Sequence, residues 1–235
     1  MTRKLLFAAA AILMFCGASA QTKTVGSDKL PAFRKINIVG KMKVTLRPVT
    51  SQEETSVLAD LTASEAGRFE YKVNKEGQLT VKLKNPGKGE PETSPSVEIC
   101  YAELAALSVS AAEVAMDGAW SGAAADLSVD NYGKLTGRVD LKDLDVSISD
   151  KALVTLDGSA RYVTASAATA ARLDMRKTEV MNFEARAVTN AEIYLTAGER
   201  LEARAGTNAS VMYRSRPEIL RDKATLGGKV SFIGE

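Results

Sequence analysis

The chain has 235 residues, with 31 basic and 29 acidic side chains, a net charge of +2 and no histidine. Charges of both signs are interspersed without a basic block, which argues against nucleic acid as a partner. The missing histidine removes the commonest proton shuttle and the commonest transition-metal ligand. No cofactor and no metal are expected.

In chain order, Arg3 and Lys4, the apolar stretch Leu5 to Phe15 and the small residues Ala18-Ser19-Ala20 read as a secretory signal over residues 1–20. That stretch is shorter than the roughly 20 residues a membrane-spanning helix needs, and no later segment comes near that length. A lipoprotein signal ending at Cys16 is the alternative, but bulky Phe15 stands where lipid attachment wants a small residue. Cleavage after Ala20 leaves Cys100, in the strand-like run "SVEICYAEL", as the single cysteine. No intramolecular disulfide then forms, and a buried inert thiol is expected. The mature chain, 21–235, is expected as one exported domain in the periplasm, on the outer-membrane surface or outside the cell.

Two eleven-residue segments, "INIVGKMKVTL" from Ile36 and "VSISDKALVTL" from Val146, share one pattern of alternation, turn and alternation. Between them lie "RFEYKV", "QLTVKLK" and "SVEICY", three further alternating runs, and "NPGKGEPETSPS" from Asn85, a long exposed loop. Six blocks of the same kind start at Leu107, Leu127, Val146, Val163, Phe183 and Leu201, a period of about 19 residues. Two alternating strands per period predict a β-solenoid, in which each coil buries its apolar side only by stacking on its neighbours. A sandwich of hairpins is the alternative all-β reading.

Like residues recurring in columns favour the solenoid. Aligned on their first residues, the blocks place Val109, Val129, Ile148, Ala165, Ala185 and Ala203 in one inward row. Ser108, Ser128, Ser147, Thr164, Glu184 and Glu202 form the outward row beside it. Arg186 and Arg204 stand where they neutralise the stacked glutamates. The expectation is roughly nine or ten coils, less regular over 33–103, regular over 104–214 and closed by 215–235. The stretch Gln21 to Pro31 and the tail from Glu218 are candidates to protect the two ends; an incomplete cap would lead to homo-oligomers through a solenoid end.

"FRKINIVGKMKVTL" at Phe33, "EGQLTVKL" at Glu76, "AELAALSVS" at Ala102 and the ending with Tyr213, Pro217, Gly227 and Gly228 occur in an order that resembles the putative auto-transporter adhesin, head GIN domain family of Bacteroidetes-type envelope proteins. The resemblance covers nearly all of the mature chain. It implies a right-handed parallel β-helix with two flattened sheets, a role in adhesion and no catalytic residues. The Gly-Ser-Gly turns of that family survive here only in fragments such as "SG" at Ser121 and "GS" at Gly158.

The acidic run "GRVDLKDLDVSISD" carries Asp140, Asp143, Asp145 and Asp150. Grouped carboxylates serve polysaccharide-cutting β-helix enzymes, although interleaved Lys142 and Lys151 suit a solvated face. Arg161, Arg172 and Arg176, with Lys177, are candidates for holding anionic sugars. Trp120, the one tryptophan, sits in "DGAWSGAA" and either stacks on a sugar ring or plugs the core. The sequence thus points to a non-enzymatic adhesin or binding module for a glycan or matrix ligand. A self-associating structural envelope protein and a polysaccharide-acting enzyme using Asp140, Asp143 and Asp145 are the alternatives.

Overall fold

The computed structural model describes residues 23–27, 30–89 and 92–234; the signal segment and Cys16 lie outside them. The strands are β1 (Lys23–Ser27), β2 (Lys35–Val39), β3 (Lys43–Pro48), β4 (Ser56–Leu61), β5 (Phe69–Val73) and β6 (Gln78–Leu83). They continue with β7 (Ser96–Tyr101), β8 (Ala106–Ser110), β9 (Glu113–Asp130), β10 (Lys134–Ile148), β11 (Leu153–Ala167) and β12 (Arg172–Val188). The chain finishes with β13 (Glu192–Leu195), β14 (Arg200–Gly206), β15 (Ser210–Tyr213), β16 (Ile219–Thr225) and β17 (Lys229–Phe232). Among the described residues, one turn of α-helix, α1 (Ala63–Ala66), stands between β4 and β5, and a 3-10 turn, Gln52–Glu54, between β3 and β4. At 65% strand and 3% helix among the described residues the fold is all-β, wound into a solenoid of about seven turns with coils of about 19 residues.

Alternation becomes a coil because each long strand turns corners without leaving its ladder. In β10, Leu135, Val139 and Leu141 are buried, then Leu144, Val146 and Ile148. The exposed pair Lys142–Asp143 between them shifts the phase by one residue and marks a corner. β9, β10, β11 and β12 pair in parallel along nearly their whole length. Their first parts join β3, β7, β13, β15 and β17 in one broad face, here called the front. Their last parts join β6, β2, β8, β14 and β16 in the opposite face, the back. Between the two lies a short third wall, residues 119–122, 138–141, 157–160 and 177–180.

The other corner is a stack of two-residue left-handed turns: Asn131–Tyr132, Asp150–Lys151, Thr169–Ala170, Thr189–Asn190 and Thr207–Asn208. Each second residue donates its N–H to a carbonyl of the next turn, as Tyr132 does to Asp150 at 2.9 Å and Lys151 to Thr169 at 3.0 Å. The ladder therefore continues around the bend. A β-branched residue at positive φ is strained, yet threonine takes the first position three times running. Thr189→Asn, which suits a left-handed turn, is expected to raise the unfolding free energy by about 1 kcal/mol. A urea midpoint that stays put or falls would show the threonine to be favoured there.

The register corrects one sequence expectation. Ile148 is followed inward by Ala167, Ala187 and Ala205, whereas Ala165, Ala185 and Ala203 follow Val146. Outward, Ser166, Arg186 and Arg204 follow Ser147, and Thr164, Glu184 and Glu202 follow Asp145. The slip is two residues, so inside and outside are unchanged while the rows shift.

The N-terminal part accounts for the smaller number of coils. There β4 runs antiparallel to both β1 and β7, and β5 runs antiparallel to β6. Residues that would have made further coils instead extend the two faces as antiparallel rungs, β4 beside β7 and β5 beside β6. The helix α1 is fixed by a capping box, in which the buried Glu65 carboxylate accepts from the Thr62 N–H at 2.7 Å and the Thr62 hydroxyl at 2.8 Å. Cys100 is buried and unpaired.

Candidate functional site

The outer surface of the back face carries two parallel rows of polar side chains. One runs Ser108, Ser128, Ser147 and Ser166, in register from strand to strand. The other runs Asp126, Asp145 and Thr164. Neighbouring rungs are about 4.8 Å apart, as in any β-ladder. Alternation aims these side chains outward because Leu107, Leu127, Val146 and Ala165 on the same strands fill the core. A shallow groove of about 420 Å³ follows the rows, with Lys35 and Gln78 at its N-terminal end. Among the described residues, the four serines, Asp126 and Asp145 make no side-chain hydrogen bond or ion pair with the protein. Their donors and acceptors face solvent along four successive coils.

Further along, the same two rows change character. Glu184 and Glu202 stack in register, and arginines neutralise them. Arg204 reaches Glu184 at 3.2 Å and Glu202 at 3.7 Å, Arg221 reaches Glu202 at 3.3 Å, and Arg200 bonds Glu202 directly. The Arg200 hydrogen bond holds the Glu202 carboxyl below the usual carboxylate range. This stretch is internally satisfied, and the open polar surface ends near Ser166.

The residues singled out in the sequence scatter over the rod. Trp120 is fully buried and its indole N–H donates to the Leu104 carbonyl at 2.7 Å; it plugs the core and offers no face to a sugar. Arg172 and Arg176 lie together on the front face over the ring of Tyr194, at 4.5 and 5.0 Å from its centre. Arg176 is tied to Asp174 through two nitrogens, one at 2.9 Å. Partial burial pushes the Asp174 carboxyl up, and the Arg176 side chain and backbone N–H more than offset it, leaving it below its ordinary value. Arg161 stands apart from that pair, exposed at the corner beside Lys142 and Met181.

The acidic run is likewise dispersed. Asp140 is on the short wall and accepts from the Ser159 hydroxyl at 3.1 Å, Asp143 is at the corner, Asp145 is on the back face, and Asp150 is in a left-handed turn. No three carboxylate, cysteine or histidine side chains come close enough to hold a metal ion among the described residues. Asp126 and Lys35 escaped the sequence reading because neither belongs to a charge cluster; the outward serine column was the signal present.

Comparisons with solved structures agree with this architecture. The fold is similar to a putative adhesin from Bacteroides fragilis NCTC 9343, with a TM-score of 0.80 at 16% identity over 92% of this chain and 98% of that one. It is also similar to a putative adhesin from Parabacteroides merdae ATCC 43184, with a TM-score of 0.69 at 13% identity over 91% and 96%. A putative lipid binding protein from Parabacteroides distasonis ATCC 8503 gives 0.66 at 15% identity over 90% and 96%. No curated protein matches the chain. The model of the family described as "Putative auto-transporter adhesin, head GIN domain" matches residues 32–217, and the chain belongs to that family.

Proposed function

We propose that this protein is an exported, non-catalytic adhesin that holds an extended, hydroxyl-rich glycan along the groove of its back face. The observation that carries this reading is the run of four unengaged serine hydroxyls, one per coil, joined by the Asp126 and Asp145 carboxylates on the two middle coils, along a continuous groove. Rungs about 4.8 Å apart are close to the advance of one sugar ring along an extended chain. A polymer lying along the rod axis would therefore meet equivalent donors and acceptors repeatedly. Asp126 and Asp145 accept hydrogen bonds from sugar hydroxyls and repel uronic acids, so a neutral or amino-sugar chain fits better than an acidic one. The separation of Asp140, Asp143 and Asp145 onto different walls supports binding without turnover.

The test is retention of the chain from Gln21 onward on immobilised neutral, amino and acidic polysaccharides and on matrix proteins. Replacing Asp126 and Asp145 together by alanine is expected to weaken retention on a neutral or amino polysaccharide at least about tenfold. Unchanged retention would move the binding surface elsewhere. The lipid-binding description of the Parabacteroides distasonis neighbour gives the comparison its second arm, flotation with phospholipid vesicles; vesicle binding lost in the same variant would replace glycan by lipid headgroup.

A further inference from the structure

The two ends of the stack are finished differently. At the N-terminal end β4 pairs antiparallel with β7 and β5 with β6, and α1 packs on β4. At the C-terminal end, every residue of β16 is exposed, and so are three of the four in β17. The tail from Glu218 thus adds one more coil and does not cover the stack. Its inward rows continue: Leu220 follows Leu201, Asp222 follows Ala203, Val230 follows Val211 and Phe232 follows Tyr213. Side chains that elsewhere form core stand open here, with Leu220 41% and Phe232 40% exposed. Each of these two strands pairs on one side only among the described residues.

We infer that this open coil is the docking surface for a second copy of the chain, joined end to end by a two-fold axis with one core running through the junction. Two unpaired edges flank a single exposed core, so a partner must offer two edges at the same separation. The same end of another copy does so; one extended peptide would cover one edge and leave the other bare.

Charge chooses between the two-fold arrangements. If β16 paired with itself, one residue would oppose its own copy, because any other register sets inward side chains against outward ones. The central candidates are Arg221, Asp222 and Lys223, and each would face like charge. An axis parallel to the strands instead lays β16 of each copy antiparallel on β17 of the other. One register of that arrangement sets Asp222 opposite the partner's Phe232. Within each chain the Arg216 guanidinium lies 4.9 Å from the centre of the Phe232 ring. Neither Asp222 nor Arg216 has an ion-pair partner among the described residues, and the junction supplies one to each, twice. In the same register Lys223 faces Ser231 and Thr225 faces Lys229, so no like charges meet.

Sedimentation velocity of the chain from Gln21 onward, at about 100 μM, is expected to show a dimer. Asp222→Arg and Arg216→Glu should each weaken association at least about tenfold, and the double variant should recover it by restoring opposite charges. Both positions are exposed, so unchanged circular-dichroism melts confirm that folding is intact. A monomer at that concentration overturns the inference. So does a dimer indifferent to Asp222→Arg, or an open-ended series of larger species, which would mean head-to-tail stacking. Asp126→Ala with Asp145→Ala leaves the dimer unchanged, which keeps this result separate from the glycan reading.

Discussion

Trp120→Ala is expected to lower the unfolding free energy by about 4 kcal/mol. The indole is the largest of the fully buried side chains, at the start of the short wall, where it stands in register with Val139 of the next coil. Its removal leaves a cavity between the N-terminal coils and the regular stack. It also strands the Leu104 carbonyl, which accepts from the indole N–H at 2.7 Å. Trp120→Phe separates the two effects: most of the volume remains and the donor is lost, for a cost of about 1–3 kcal/mol. Urea unfolding followed by circular dichroism measures both. If the alanine variant lost less than the phenylalanine variant, the packing argument would be wrong and Trp120 would be a peripheral residue.

Ala185→Asp is expected to be comparably damaging, at least about 3 kcal/mol. Ala185 is 1% exposed and lies between Ala165 and Ala203 in one inward row. A carboxylate there has no cation within reach and no water to keep its charge. The protein contains its own control two coils along the row, where Asp222 occupies the equivalent position on an open rung. The same side chain is tolerated there because the open rung leaves its charge hydrated in the single chain, and the proposed junction would pair it with Arg216. Ala185→Leu tests shape alone and should cost about 1–3 kcal/mol by overpacking. A melting temperature unmoved by Ala185→Asp would place that row outside the core.

The alternation of apolar and polar residues was enough to recover which side chains face in, because period two fixes that whatever the strand pairs with. The family resemblance anticipated a parallel rod with two broad faces. Row assignment was lost at Val163, which aligns with Val146 by residue type but pairs with Leu144. Corners that spend different numbers of residues hide such a two-residue offset, since both registers keep the same side inward. The antiparallel excursion of β4 and β5 was also invisible: "RFEYKV" alternates as a coil strand does, and alternation carries no strand direction. Trp120 shows a further limit. One tryptophan in a glycine- and alanine-rich stretch reads equally well as an exposed platform or a plug, and only the Leu104 carbonyl decides. The serine row was legible from Ser108 to Ser147, with Ser166 set in the neighbouring row; that the row borders a groove was not, since a groove depends on the twist of the assembled sheet.

The serine row has a length, and that length is set by whole coils. It begins at Ser108 and ends at Ser166, where Arg186 takes over the next rung. Because each coil there touches only the ones above and below, duplicating a nineteen-residue unit would add one step to this measuring scale without disturbing the others. Under the proposed glycan binding, chain-length preference would therefore be open to revision by gene duplication alone, while the chemistry of each step stays fixed.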